Sequence, residues 1–407
     1  MNEFKQLGII EPILKSIEQE GFEKPSEIQV KAIPLAIAGK DVIAGSATGS
    51  GKTLAFGAGI IQDVEHRKGI QALILTPTRE LAEQVTQNLR MFSKFKKLTV
   101  QAIYGGVSIN PQIHNLERTD IVVGTPGRIL DHLERRTIDL SQVKILVLDE
   151  ADRMFDMGFK EDVTKIIGQC KKERQTLLFS ATINDDVKRL SSRYMHNPVQ
   201  VSVNSYVDPS KLLQIYYDVA NGLKFSLLMH LLKEEKKGTV MVFCNSRREV
   251  DFVANNLKGN GVDALAIHGG FTQDKRTKVM QDFKTKDVHV LVCTDVAARG
   301  LDIQGVSHVY NYDIPKESKQ YIHRIGRTAR AGKEGKAINL LSDRDYDNFD
   351  RVLRDNDVTI TKTEKPYIKR VELKWKPSPK RFGGRQNGHG RGFGGNRGRR
   401  QNNRRHN

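Results

Sequence analysis

Short apolar runs separated by helix-like segments recur along this 407-residue chain in two successive rounds. The first round holds Asp41 to Gly45, Ala72 to Leu75, Val100 to Ile103, Ile121 to Val123, Ile145 to Leu148 and Thr176 to Phe179. The second holds Val240 to Phe243, Ala264 to Ile267, Val288 to Val292, Val306 to Tyr310 and Ala337 to Leu341. Runs this short and this continuously apolar suit strands buried on both faces, and their alternation with helices predicts parallel sheets covered on both sides. The length predicts more than one domain. The fold class expected is α/β, two tandem domains, each a mainly parallel sheet flanked by helices. Asn204, Ser205, Asp208, Pro209 and Ser210 interrupt the rhythm, which places the first domain at 1–203, a linker at 204–211, the second domain at 212–360 and a charged extension with a tail at 361–407.

Chemistry concentrates where strands end. After the run 41–45 come Ser46, Ala47, Thr48, Gly49, Ser50, Gly51, Lys52 and Thr53, and Thr53 to Phe56 open a helical pattern. A glycine-bearing turn between strand and helix lets backbone amides converge on a phosphate, with the helix N-terminus adding partial positive charge. Lys52 can then reach the β and γ phosphates, and Thr53 can offer its hydroxyl to Mg²⁺. The run 145–148 ends at Asp149 and Glu150, followed by Ala151 and Asp152. Carboxylates at that end of a parallel strand face the ligand crevice. Asp149 is expected to hold Mg²⁺, and Glu150, one residue on, to polarise the attacking water. Arg327 and Arg330, spaced i, i+3, are expected on one helical turn, where guanidinium groups can stabilise charge on a transferring phosphoryl group. They lie almost 280 residues beyond Lys52, so a site using both needs two lobes to close.

These segments, with Ser180-Ala181-Thr182 and His323 to Arg330, resemble a DEAD-box RNA helicase of superfamily 2, and the resemblance covers about residues 3–350. It implies two RecA-like domains, ATP and Mg²⁺ as cofactors, and RNA-stimulated hydrolysis of ATP. It assigns Arg327 and Arg330 the finger role, makes Asp152, Ser180, Thr182 and His323 the coupling elements, and places Asp302 near the ribose and the cleft. The general phosphate-loop pattern asks for glycine at position 46, whereas this family usually carries Ala or Ser, as here. Ala329 stands where the family often has glycine, and ordinary helical angles are expected to accommodate it. Gly21 to Gln29 match the family's Q motif, with Phe4 upstream at the expected spacing. A glutamine amide donates and accepts at once, so Gln29 suits the edge of adenine, with Phe4 or Phe22 packing on the base. The RNA track is expected on Arg79, Gly106, Thr125 and Arg128 in the first lobe and on Gln273, Arg276 and Thr294 in the second, contacting phosphates and ribose without reading sequence.

The charge is +18, and residues 376–407 supply ten of it through two Lys and eight Arg without an acid. Gly, Arg and Asn dominate there with only Phe382 and Phe393 as large apolar residues, so this tail is expected to be disordered and to bind RNA non-specifically. Cys170, Cys244 and Cys293 show no paired spacing, which disfavours a zinc site or a disulfide framework and fits a reducing, cytoplasmic setting. No apolar run approaches the ~20 residues of a membrane span. The reading is an ATP-dependent RNA helicase that opens short duplexes locally. An ATP-gated RNA clamp and a tail-driven annealing chaperone are the alternatives. Protein partners, the physiological RNA, oligomeric state and rates are not encoded in any motif.

Overall fold

The structure is a computed structural model. It describes residues 1–45, 50–202, 211–235, 238–285, 288–298, 301, 303, 305–329, 334–356 and 358–375. The first sheet comprises β1 (Val42–Gly45), β2 (Ala72–Leu75), β3 (Val100–Ile103), β4 (Ile121–Gly124), β5 (Ile145–Asp149), β6 (Gln175–Ser180) and β7 (Val199–Ser202), in the order β3-β4-β2-β5-β6-β1-β7. The second comprises β8 (Leu212–Asp218), β9 (Thr239–Phe243), β10 (Ala264–Ile267), β11 (Val290–Cys293), β12 (Val306–Asn311), β13 (Gly335–Leu341) and β14 (Thr361–Lys362), in the order β10-β11-β9-β12-β13-β8-β14. Every pairing within the two sheets is parallel. The alternation predicts these two parallel sheets, and the pair of tandem RecA-like folds is the one the resemblance implies.

Burial on both faces explains why the strands read as unbroken apolar runs. Along β2, Ala72 and Ile74 enter the core on one face while Leu73 and Leu75 enter the core on the other. Along β9, Val240 and Val242 face one core and Met241 and Phe243 the other. Parallel pairing also gathers all carboxyl strand ends of a lobe on one rim, and the helices that follow start there. Thr78 after β2 and Ser246 after β9 cap their helices in the same way, accepting from the Leu81 and Glu249 amides at 3.3 and 3.1 Å.

Three strands escape the sequence pattern. β7 is largely exposed at a sheet edge, β14 has two residues, and β8 alternates buried and exposed positions although seven of its residues pair with β13. Residues 203–210, most of the expected linker, lie outside the described residues. Beyond β14 the chain crosses the second lobe: the Val371 amide donates to Ser226 Oγ at 3.0 Å, and buried Asn256 exchanges hydrogen bonds with the Trp375 backbone at 2.9 and 3.0 Å. The arginine-rich segment 376–407 lies outside the described residues.

At the far end of the second lobe, Glu235 accepts from Tyr310 Oη at 2.7 Å and Lys336 Nζ at 2.9 Å, with His308 Nε2 at 3.1 Å. Burial alone would raise its pKa, but these three partners prevail and bring it down from 4.5 to about 2. A carboxylate whose folded pKa is depressed stabilises above its unfolded pKa and loses that contribution as pH falls toward 2. Glu235→Gln is expected to cost about 2 kcal/mol at neutral pH, allowing for solvent screening, and to cost little near pH 2. Denaturant unfolding at both pH values measures the difference.

Candidate active site

The rim of the first lobe assembles the phosphate-loop lysine and the strand-end carboxylates. Gly51 caps the helix Lys52–Asp63 with φ of 89°, and a Cβ there would meet Gln29 Nε2 at 2.5 Å. Only glycine satisfies both the left-handed backbone and that approach. Lys52 Nζ lies 3.4 Å from Asp149 Oδ1, and both side chains are buried. Burial pushes the Asp149 carboxyl up, and the Lys52 ammonium pulls it back. Apart from this long contact with the Lys52 ammonium, Asp149 Oδ1 is buried without a hydrogen-bond partner, the condition of a carboxylate suited to a cation. Among the described residues no group of three or more His, Cys, Asp or Glu could hold a metal, so a cation here would draw its remaining ligands from water and nucleotide phosphates, as Mg²⁺ does. Ser46, Ala47, Thr48 and Gly49 lie outside the described residues; Ser50 and Thr53 flank Gly51 and Lys52 on the same turn, both half-buried.

Glu150 follows β5 in a left-handed conformation, φ 53°, and is buried against the Arg153 guanidinium. Asp152 turns away to the end of β6. Its Oδ2 accepts from the Thr182 amide at 2.9 Å and the Thr182 hydroxyl at 2.8 Å, while its own amide donates to Ser180 Oγ at 3.2 Å. Asp152, Ser180 and Thr182 are therefore tied into one hydrogen-bonded unit joining two adjacent strand ends.

Gln29 does more than the adenine reading foresaw. Its Oε1 accepts from the Ser26 amide at 2.9 Å in a capping box, and its Nε2 donates to the Gly51 carbonyl at 3.1 Å. One end of the amide thus caps its own helix, and the other braces the phosphate loop. Of the two aromatic candidates, Phe4 is 1% exposed within the core, and Phe22 is 44% exposed with its ring 6.1 Å from that of Phe92.

Two arginines flank the glycine pair of the first lobe. A Cβ on Gly106, where φ is 82°, would sit 2.0 Å from Arg79 Nη1, and one on Gly105 would sit 3.7 Å from Arg79 Nη2 and 3.9 Å from Arg128 Nη2. Thr125 starts the helix Pro126–Glu134 beside them. In the second lobe Thr294 follows β11 with its carbonyl accepting from the Ala297 and Ala298 amides. Gln273 and Arg276, expected on the RNA track, reach the other lobe: Gln273 Nε2 donates to Glu80 Oε1 at 3.2 Å, and Arg276 Nη2 lies 2.9 Å from the same oxygen. Glu80 adjoins Arg79, so this clasp registers the second lobe against the first lobe's arginine. Local sequence offers no signal for a contact between residues almost 200 apart.

The arginine segment departs from the helical expectation. The helix Ser318–Ile325 stops at Gly326, so Arg327 lies past its end and donates from Nη1 to the Leu301 carbonyl at 2.7 Å. Thr328 Oγ1 then donates to the Val306 carbonyl at 2.6 Å, and Ala329 has φ of 53° rather than ordinary helical angles. Left-handed geometry costs a non-glycine residue about 1–2 kcal/mol, more than the roughly 0.8 kcal/mol lost with one buried methyl. Ala329→Gly is expected to stabilise the second lobe by about 1 kcal/mol, read from its thermal unfolding. Asp302 and Arg330 lie outside the described residues. Missed by sequence reading was Arg324, which is 1% exposed and bonded throughout. The crevice between the lobes is lined by Arg153 from the first and by Phe243, Asp295, His323, Arg324 and Arg327 from the second. The partner of Glu150 and the arginine segment thus share one cavity.

Residues 26–190 match the family DEAD/DEAH box helicase, and residues 223–332 match the helicase conserved C-terminal domain. The ATP-dependent RNA helicase CshA of Listeria monocytogenes is 47% identical over 348 residues, covering 85% of this chain and 67% of that protein. The chain belongs to the DEAD-box family of ATP-dependent RNA helicases. The DEAD-box ATP-dependent RNA helicase CshA of Geobacillus kaustophilus is 44% identical over 358 residues, 87% of this helicase and 76% of that one. Among solved structures, S. cerevisiae Dbp5 bound to RNA and ADP BeF3 superposes with a TM-score of 0.81 at 33% identity, covering 89% of this chain and 96% of that chain. A DEAD box protein from Methanococcus jannaschii, 42% identical with 89% and 99% covered, gives 0.56. The whole-chain arrangement is therefore nearer to the RNA- and nucleotide-bound protein than to the relative of higher identity. No helix among the described residues is long and apolar enough to cross a membrane.

Proposed function

We propose that this helicase opens short RNA duplexes locally, with ATP and RNA drawing the lobes together and hydrolysis releasing them. The observation that carries the reading is the shared crevice, where Arg153, paired with Glu150, meets the segment holding His323 and Arg327. Lys52 and the glycine turn hold the phosphates, Glu150 orients the attacking water, and Arg327 with Arg330 stabilises charge on the transferring group. Thr53 and Asp149 hold Mg²⁺, which neutralises phosphate charge when bound. Asp152, Ser180, Thr182 and His323 couple that site to the lobe interface, and Asp302 lies at the ribose. Gln29 selects adenine with Phe22 against the base. Arg79, Gly106, Thr125, Arg128, Gln273, Arg276 and Thr294 meet RNA through its backbone, and Gln273 and Arg276 also clasp Glu80. The working boundaries are 1–203 and 212–360 for the lobes, 204–211 for the linker and 361–407 for the extension and tail, which adds non-specific RNA affinity. Three free, buried cysteines fit a cytoplasmic protein.

A strand-separation assay on a short RNA duplex tests this. ATP-dependent separation that survives deletion of 376–407 is expected. Annealing without ATP that vanishes with the tail would instead identify a chaperone.

A further inference from the structure

Behind Arg128 sits a hydrogen-bonded frame that no catalytic or coupling role explains. Gln112, 5% exposed on the helix Asn110–Leu116, donates from Nε2 to the Tyr104 carbonyl at 3.0 Å, immediately before Gly105 and Gly106. Its Oε1 accepts from Arg128 Nη1 at 3.2 Å and meets His132 Nε2 at the same distance. His132 is fully buried, and its Nδ1 lies 2.8 Å from Thr137 Oγ1. Gln112 Oε1 can only accept, so it assigns the tautomer: Nε2–H donates to Gln112, and Nδ1 is left unprotonated facing the Thr137 hydroxyl, which also reaches the His132 carbonyl at 3.2 Å. Arg128 is completed by the Val107 carbonyl at 3.0 Å and Asp131 at 3.5 Å.

The amide of Gln112 cannot flip in this setting, because a flip would set its NH₂ against two donors and its oxygen against the Tyr104 carbonyl. One side chain therefore fixes both halves of the proposed track, the glycine pair through Tyr104 and the guanidinium through Arg128. Burial, followed by the charge of Arg128, lowers the His132 pKa and keeps it the single-proton donor this arrangement needs.

We propose that Gln112 and His132 are positioning residues for RNA, holding Arg128 and the Gly105–Gly106 turn in the geometry that receives the RNA backbone. The inference rests on the proposed RNA role of Arg128. Loss of a fixed guanidinium contact is expected to raise the RNA concentration for half-maximal ATPase stimulation about tenfold in Gln112→Leu, a cost of one charge-assisted hydrogen bond. The maximal rate at saturating RNA and the KM for ATP are expected to stay as in the parent, a split that general destabilisation does not produce. Thr137→Val, which removes the outer hydroxyl that contacts both Nδ1 and the carbonyl of His132, is expected to move the same constant about twofold and serves where Gln112→Leu does not fold. Arg128→Ala is the control. If it raises the constant while folded Gln112→Leu and Thr137→Val do not, the inference is overturned and the track stands. If Arg128→Ala leaves the constant unchanged, the track reading itself fails, and the inference with it.

Discussion

Glu150→Gln is expected to slow RNA-stimulated ATP hydrolysis by about 10²–10⁴-fold while leaving ATP and RNA binding in place. The amide is isosteric, so the left-handed turn after β5 and the packing against Arg153 persist. What disappears is the negative charge proposed to orient and polarise water. The Lys52–Asp149 pair, proposed to hold the phosphates and the cation, is untouched. Single-turnover hydrolysis beside RNA binding measured with a non-hydrolysable ATP analogue separates the two effects. Hydrolysis within threefold of the parent would remove Glu150 from the chemistry. Lost hydrolysis with unchanged strand separation would favour an ATP-gated clamp.

Arg324→Met is expected to destabilise the second lobe by about 3–5 kcal/mol. All five guanidinium donors are used. Nε and Nη2 donate to the two Asp295 carboxylate oxygens at 2.6 and 2.7 Å, Nη1 to Asn311 Oδ1 at 3.0 Å and the Asp313 carbonyl at 2.6 Å, and Nη2 again to Asn245 Oδ1 at 2.9 Å. The guanidinium carbon also lies 5.1 Å from the centre of the Phe243 ring. These partners come from the ends of β9, β11 and β12, so the side chain ties three adjacent strand ends to the helix Ser318–Ile325. Removing it strands Asp295 and the buried amide oxygen of Asn311. Arg324→Lys is expected to rescue little, since an ammonium has three donors and no planar fork. Denaturant unfolding followed by tyrosine fluorescence and hydrogen exchange of lobe-two amides would show the loss. A shift below 1 kcal/mol would mean that the network contributes little beyond replacing water.

The parallel sheets were legible because strands buried on both faces leave a signature that needs no partner to be recognised. β8 was not, since its seven residues alternate like an exposed edge while β13 and β14 flank it. The strand-end placement of Lys52, Asp149 and Glu150 was legible for a related reason: topology puts all carboxyl strand ends of a lobe on one rim. Conformation at single residues was harder. Nothing near Ala329 announces a positive φ, which is imposed by the termination of the preceding helix and by Thr328 bonding back to Val306. Long-range polar contacts were hardest. Glu80 with Arg276, Gln29 with Gly51 and Gln112 with Arg128 join residues whose local patterns are complete without each other, and only the folded chain shows which donor meets which acceptor.

Steady-state ATP hydrolysis with single-stranded RNA, with DNA and with neither, all at one salt concentration, tests the central claim most directly. Strong stimulation by RNA alone is the predicted result, because the site becomes complete when RNA holds the two lobes together. Hydrolysis indifferent to RNA, or driven equally by DNA, would contradict it, leaving the nucleotide site intact and the proposed occupant of the closed cleft wrong.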